Sequence, residues 1–187
     1  MDEWGFLSVI VSIILGLSIT QLLQGMSEMI NERERVRFYW PAVGWTVVLL
    51  IVDIQAWWAM FGYRNRHSWT FVQFATVLME VILLYLLAAL ALPNFAGPEV
   101  IDLRANYFKH KTWFFGFLVL VLLDSLLKSV VVSGALPGSL DLGFHLAWLT
   151  TGLIAAVTRS DRYHKGFLCL SFASVVSYVA VLFTRLR

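Results

Sequence analysis

The chain has 187 residues, of which 59% are apolar, 15% aromatic and only 14% charged, with a mean hydropathy of +0.76. Soluble domains carry about 25% charged residues, so a water-soluble enzyme is all but excluded, and the apolar residues must be gathered into spans of bilayer length. The formal net charge of +2 is modest, and no run of like charge is long enough to hold nucleic acid or an acidic substrate. A spanning helix needs about 20 apolar residues, and six of them use roughly two thirds of such a chain, which leaves no room for an extramembrane catalytic domain.

Six apolar stretches follow in chain order, at residues 5–27, 41–62, 70–92, 113–133, 141–158 and 166–184. Backbone in lipid must satisfy its own hydrogen bonds, and continuous runs of this length suit helices, whereas barrel strands alternate over about 10 residues. The expected fold is therefore an all-α integral membrane protein, a six-transmembrane-helix bundle forming one polytopic domain over residues 1–187. The opening Met-Asp-Glu-Trp lacks the basic region and cleavage site of a signal peptide, so the first stretch reads as a retained span. Pro41 falls in the first turn of the second span, Pro93 closes the third, and Gly134 to Gly138 around Pro137 makes a turn between the fourth and fifth.

The longest loop, 94–112, has a pattern of its own. After Pro98, the residues Val100, Leu103 and Tyr107, with Ile101 and Phe108 beside them, fall on one helical face, while Glu99, Asp102 and Asn106 fall on others. That predicts a short interfacial helix between the third and fourth helices.

Lys and Arg counts in the loops set the orientation. Arg33, Arg35, Arg37, Arg104, Lys109, Lys111, Arg159, Arg162 and Lys165 fall on one face, against Arg64, Arg66, Arg185 and Arg187 on the other. The richer face is expected to be cytoplasmic in a multi-pass inner (plasma) membrane, with both termini outside. Trp4, Trp40, Trp45, Trp69 and Trp113 lie near span ends, where indole rings prefer the headgroup level.

Helices in lipid pack through small residues and buried polar groups. Ser8, Ser12, Gly16 and Thr20 repeat every four residues in the first span, Gly143, Ala147, Thr151 and Ala155 in the fifth, and Cys169, Ala173 and Ser177 in the sixth. These stripes predict close helix contacts, chiefly within the chain, while a homo-oligomer is also expected. Cys169 is the single cysteine, so there is no disulfide framework and no paired-cysteine metal or redox motif.

The chemistry is expected to rest on ionisable groups at mid-bilayer depth. Asp53, Glu80 and Asp124 stand near the middle of the second, third and fourth spans, and each costs about 2.5 to 3.5 kcal/mol on insertion scales. Polar companions at helical spacing mark their wet faces: Thr46 before Asp53, Gln73 and Thr76 before Glu80, and Lys128 four residues after Asp124. The acid-before-lysine order favours an intrahelical Asp124–Lys128 pair, leaving Asp53 and Glu80 as the exchanging carboxylates. His145 in the fifth span is a candidate relay, and Gln55, Trp57, Gln73 and Thr76 are candidate pathway-lining residues.

His67, His110 and His164 read as loop residues, so no metal site or cofactor is expected, and no phosphate loop or nucleophile motif appears. The leading expectation is a channel or transporter for protons or small cations. The alternatives are a non-transporting membrane scaffold and, third, an intramembrane enzyme.

Overall fold

The computed structural model describes residues 3–66, 68–97 and 99–182. His67, Pro98, Arg185 and Arg187 lie outside the described residues. The described chain is almost entirely helical: α1 Glu3–Asn31, α2 Trp40–Met60 with a 3-10 turn Phe61–Tyr63, α3 Phe71–Ala91, α4 Leu103–Ser133, α5 Ser139–Val157 and α6 Asp161–Leu182. The first five are long and apolar enough to cross a membrane. Two short strands, β1 Val36–Arg37 and β2 Ile101–Asp102, pair in parallel and tie the loop after α1 to the loop before α4.

Local sequence explains where the helices start and stop. Pro41 occupies the first turn of α2, where its missing N–H is not needed. Thr70 and Gln73 form a reciprocal capping box on α3. The Asp102 carboxylate accepts the Ala105 N–H at 2.9 Å and starts α4. Gly134, at φ 73°, ends α4 in the left-handed region that a side chain disfavours.

The expected separate helix between the third and fourth spans is not formed as such. Its residues from Leu103 onward are the first turns of α4, continuous with the apolar part. The cause is local: Asp102 caps the helix, and nothing between Leu103 and Thr112 interrupts it. At 1.5 Å per residue α4 is roughly 46 Å long, well over the ~30 Å of a hydrocarbon core.

Consecutive helices run in opposite directions, as contacts at each end demonstrate. At one end Tyr39 donates to Asp161 (2.8 Å), Lys111 and Thr112 donate to the Ala156 carbonyl (2.6 and 3.0 Å), and Arg35 clasps the carbonyls of Phe95, Gly97 and Glu99. At the other, the Glu3 carboxylate accepts the Trp69 N–H (2.7 Å), and Arg66 and Gln73 donate to the Val132 and Val131 carbonyls (2.6 and 3.1 Å). All nine cationic side chains assigned to one face therefore gather at the Tyr39 end, hereafter the basic end, while Arg64 and Arg66 stand at the opposite end.

The helices form a ring in the order α1, α3, α4, α5, α6, α2. Trp45 is fully buried inside it, edge-on to Phe114, Phe115 and Phe167 at 5.2 to 5.6 Å. It is thus a core residue and not an interfacial one, because α2 turns that face toward α4 and α6. His110 and His164 are helical and not in loops; His164 is fully buried and bonded to the Tyr107 hydroxyl at 3.0 Å.

The stripes of small residues do not make the internal contacts expected of them. In α1 the buried face is Leu7, Val11, Leu15, Ser18 and Leu22, whereas Ser12, Gly16 and Thr20 are exposed and Ser8 is half-buried. In α5, Gly143 and Ala147 are exposed and Thr151 half-buried, and only Ala155 is buried; Cys169, Ala173 and Ser177 of α6 are exposed. Large apolar side chains bring more contact area to the inner faces, so the small ones are left outside. Close helix approach occurs instead at Gly44, where a side chain would collide with Leu168, and at Gly152, where it would meet Val119 at 3.4 Å.

Candidate polar cavity within the helix ring

Inside the ring, open toward the end opposite the basic one, lies a cavity of about 350 Å³. Five helices contribute to its wall: Gln55 from α2, Glu80 from α3, Ser125, Lys128 and Ser129 from α4, Asp141, His145 and Trp148 from α5, and Ser174 and Tyr178 from α6. Its charged groups are held by two sets of contacts. Lys128 of α4 bonds to Glu80 of α3, and both side chains are largely shielded from solvent. Across the cavity, Tyr178 donates to the Asp141 carboxylate (2.9 Å), which also faces His145 Nδ1 at 3.0 Å.

The imidazole tautomer follows from its neighbours. His145 Nδ1 faces two acceptors, the Asp141 carboxylate and the Asp141 carbonyl (2.9 Å), so it carries the hydrogen and donates. Nε2 is then the acceptor from the Ser125 hydroxyl at 3.1 Å in the neutral ring. The result is a linked series Tyr178, Asp141, His145, Ser125 that crosses from α6 through α5 to α4. Burying a carboxylate without partners costs several kcal/mol, and this series supplies them.

The expected Asp124–Lys128 pair is not the one formed. Lys128 reaches across the α3–α4 contact to Glu80, the most extensive helix contact in the ring, and the Asp124 Oδ2 atom is buried with no hydrogen-bond partner among the described residues. Intrahelical spacing permits the predicted pair, but a buried carboxylate on the facing helix competes with it and wins.

Asp53, 1% exposed, is separated from the cavity. It points into the α1–α2 contact, where the Ser18 hydroxyl donates to it at 2.6 Å. Three carboxylates at one depth therefore occupy distinct environments: Glu80 paired in the cavity, Asp53 bonded to a hydroxyl, and Asp124 buried in α4.

Of the candidate lining residues, Gln55 reaches the cavity and the other three do not. Trp57 is 51% exposed on the outside of α2, its indole N–H directed at Ser12 at 3.4 Å. Gln73 is used in capping α3 and in the bond to the Val131 carbonyl. Thr76 donates to carbonyls of its own helix at 2.8 and 3.0 Å. Ser18, Ser125, Asp141 and Tyr178 are the polar partners that sequence reasoning missed. Only Asp141 carried a signal, its four-residue spacing to His145.

With this geometry in view, no known protein family, curated protein or solved structure matches the chain.

Proposed function

We propose that the chain is a six-span membrane protein that moves protons or small cations through the polar interior of its helix ring. The observation that carries this reading is the cavity of about 350 Å³ in which Glu80, Lys128, Asp141 and His145 meet within a largely apolar bundle. Ionisable residues within membrane helices are costly and are characteristic of ion pathways and proton relays. Here they sit on three different helices, α3, α4 and α5, so their meeting is a product of the fold and not of one polar segment. On this reading α6 is the sixth span, the first turns of α4 lie in the interface, the basic end faces the cytoplasm, and the outward stripes around Gly16, Gly143 and Ala173 pack against further copies of the chain.

The test is flux into liposomes of stated internal pH and salt. The Glu80→Gln, Lys128→Gln double variant removes both charges and keeps hydrogen-bonding capacity. Flux through the folded variant is expected to fall at least about tenfold; wild-type flux would sink the proposal.

A second reading, a non-transporting scaffold, is favoured by one observation, the closed Ser18–Asp53 contact inside the bundle. Under it, neutral substitutions alter stability while wild-type liposomes show no flux above protein-free ones.

A further inference from the structure

A second cavity, of about 220 Å³, lies at the basic end between α1, α2 and the end of α3. Its polar lining is Gln21, Gln24 and Glu28 of α1, Thr46 of α2 and Asn94 after α3. Among the described residues no Lys or Arg lines it, in contrast to the first cavity with its Lys128. Its donor set is therefore carboxylate, hydroxyl and amide oxygen, the ligands of a hydrated proton or a small monovalent cation.

This cavity points at Asp53. Thr46 forms part of its wall and is fully buried, and it stands seven residues before Asp53 on the same face of α2, about two turns or ~10 Å along the axis. On α1, Ser18 lies three residues before Gln21 and seven before Gly25, again on one face. Glu28, Gln24, Gln21, Thr46, Ser18 and Asp53 thus make a polar ladder descending from the basic end to mid-bundle. Between Thr46 and Asp53 the ladder is interrupted by Leu22 and Leu49, which are 1% and 2% exposed.

The first cavity approaches the same stretch of α2 from the other end, with Val52, Gln55 and Ala56 in its wall. At 3.6 residues per turn, Asp53 stands only about 60° round the helix from Ala56. Two cavities with openings at opposite ends therefore stop on either side of one buried carboxylate.

We propose that the second cavity is a cation vestibule opening at the basic face, with Asp53 and Ser18 as its terminal site and Leu22 and Leu49 as the barrier that closes it in this conformation. The assignment rests on the transport reading above and extends it: cations enter at opposite faces through separate vestibules, and a modest rotation of α2 transfers Asp53 from one to the other. The rotation exchanges the Ser18 hydroxyl for groups of the first cavity, so the carboxylate keeps a polar partner in both positions.

Vestibule access is tested apart from flux. In a Cys169→Ala background, Gln24→Cys and Gln21→Cys report on the second cavity and Ser129→Cys on the first. A membrane-impermeant methanethiosulfonate is applied to one face at a time of vesicles of known orientation. Gln24→Cys and Gln21→Cys are expected to react from the basic face alone, and Ser129→Cys from the opposite face alone. Lack of reaction at both second-cavity positions, or reaction of all three from one face, overturns the vestibule. Having two reporters in the second cavity covers the case in which one variant fails to fold.

Asp53→Asn tests the terminal site. It is expected to leave the labelling pattern intact and to lower cation flux at least about tenfold, and wild-type flux in that variant removes Asp53 from the route. If labelling follows the expected pattern while the wild-type protein shows no flux at all, the transport reading fails and the two-ended access remains.

Discussion

At the scale of single residues, the buried ion pair decides most. Glu80 and Lys128 are each nearly enclosed and each is the other's charge partner. Removing one member of such a pair leaves an uncompensated charge and costs about 3 to 5 kcal/mol, while removing both is often close to neutral. Glu80→Gln alone is therefore expected to lower the unfolding midpoint in detergent sharply, and the Glu80→Gln, Lys128→Gln double variant to recover most of the loss. Additive losses in a double-mutant cycle would show that the two side chains are not coupled. The sequence makes Glu80, Lys128 and His145 legible, because an ionisable group in an apolar run stands out whatever its neighbours are. It does not make their partners legible. Lys128 has Asp124 four residues before it, and only the approach of α3 substitutes Glu80; Ser18 and Tyr178 are ordinary residues until α2 and α5 are set beside them.

Among elements, the contacts that close the ring are the most exposed to substitution. α2 meets α6 at Gly44, where any side chain runs into Leu168. Overpacking a buried contact costs typically about 1 to 3 kcal/mol, so Gly44→Leu should fall in or above that range, measured by thermal unfolding. Wild-type stability in that variant would mean that α2 and α6 do not meet as described.

The start of α6 offers a pH-dependent contribution outside the membrane. The Asp161 carboxyl is held down to about 2, chiefly by its hydrogen bond with Lys165 and then by the one from Tyr39, while burial and the Asp161 contact push the Tyr39 hydroxyl up. A depressed carboxyl stabilises the fold fully above its unfolded value near 3.9 and loses that contribution as the pH falls toward 2. The Asp161→Asn variant should therefore be less stable than wild type at pH 6, with the gap closing between about pH 4 and 2. A gap that stays constant over that range would remove Asp161 as its source. The helices themselves were legible from apolar run length and from Pro41, Asp102 and Gly134. The length of α4 was not, because the hydropathy of its first turns describes their surroundings and not the continuity of their backbone.

For the whole molecule, the direction each helix face takes was the least legible property. Small residues at four-residue spacing signal close packing in lipid, yet a stripe carries no information on whether its partner belongs to the same chain. In α1 the larger Leu7, Val11, Leu15 and Leu22 fill the interior, and Gly16 is left with no atom near the place of a side chain. Gly16→Leu is accordingly expected to leave the stability of the single chain within about 0.5 kcal/mol of wild type, while shifting the detergent-solubilised protein to smaller assemblies. Unchanged mass by light scattering would remove the Gly16 stripe as a contact between copies of the chain. The contacts of three acids have a further regularity, since Asp53 is bonded between α1 and α2, Glu80 between α3 and α4, and Asp141 between α5 and α6, while the Asp124 Oδ2 atom has no partner among the described residues. Each of these contacts joins two helices adjacent in the chain, so each helical hairpin holds a polar partner for one acid, a hydroxyl for Asp53 and Asp141 and the Lys128 ammonium for Glu80. Each hairpin can therefore close its own polar contact as it is synthesised, without waiting for a distant segment of the chain.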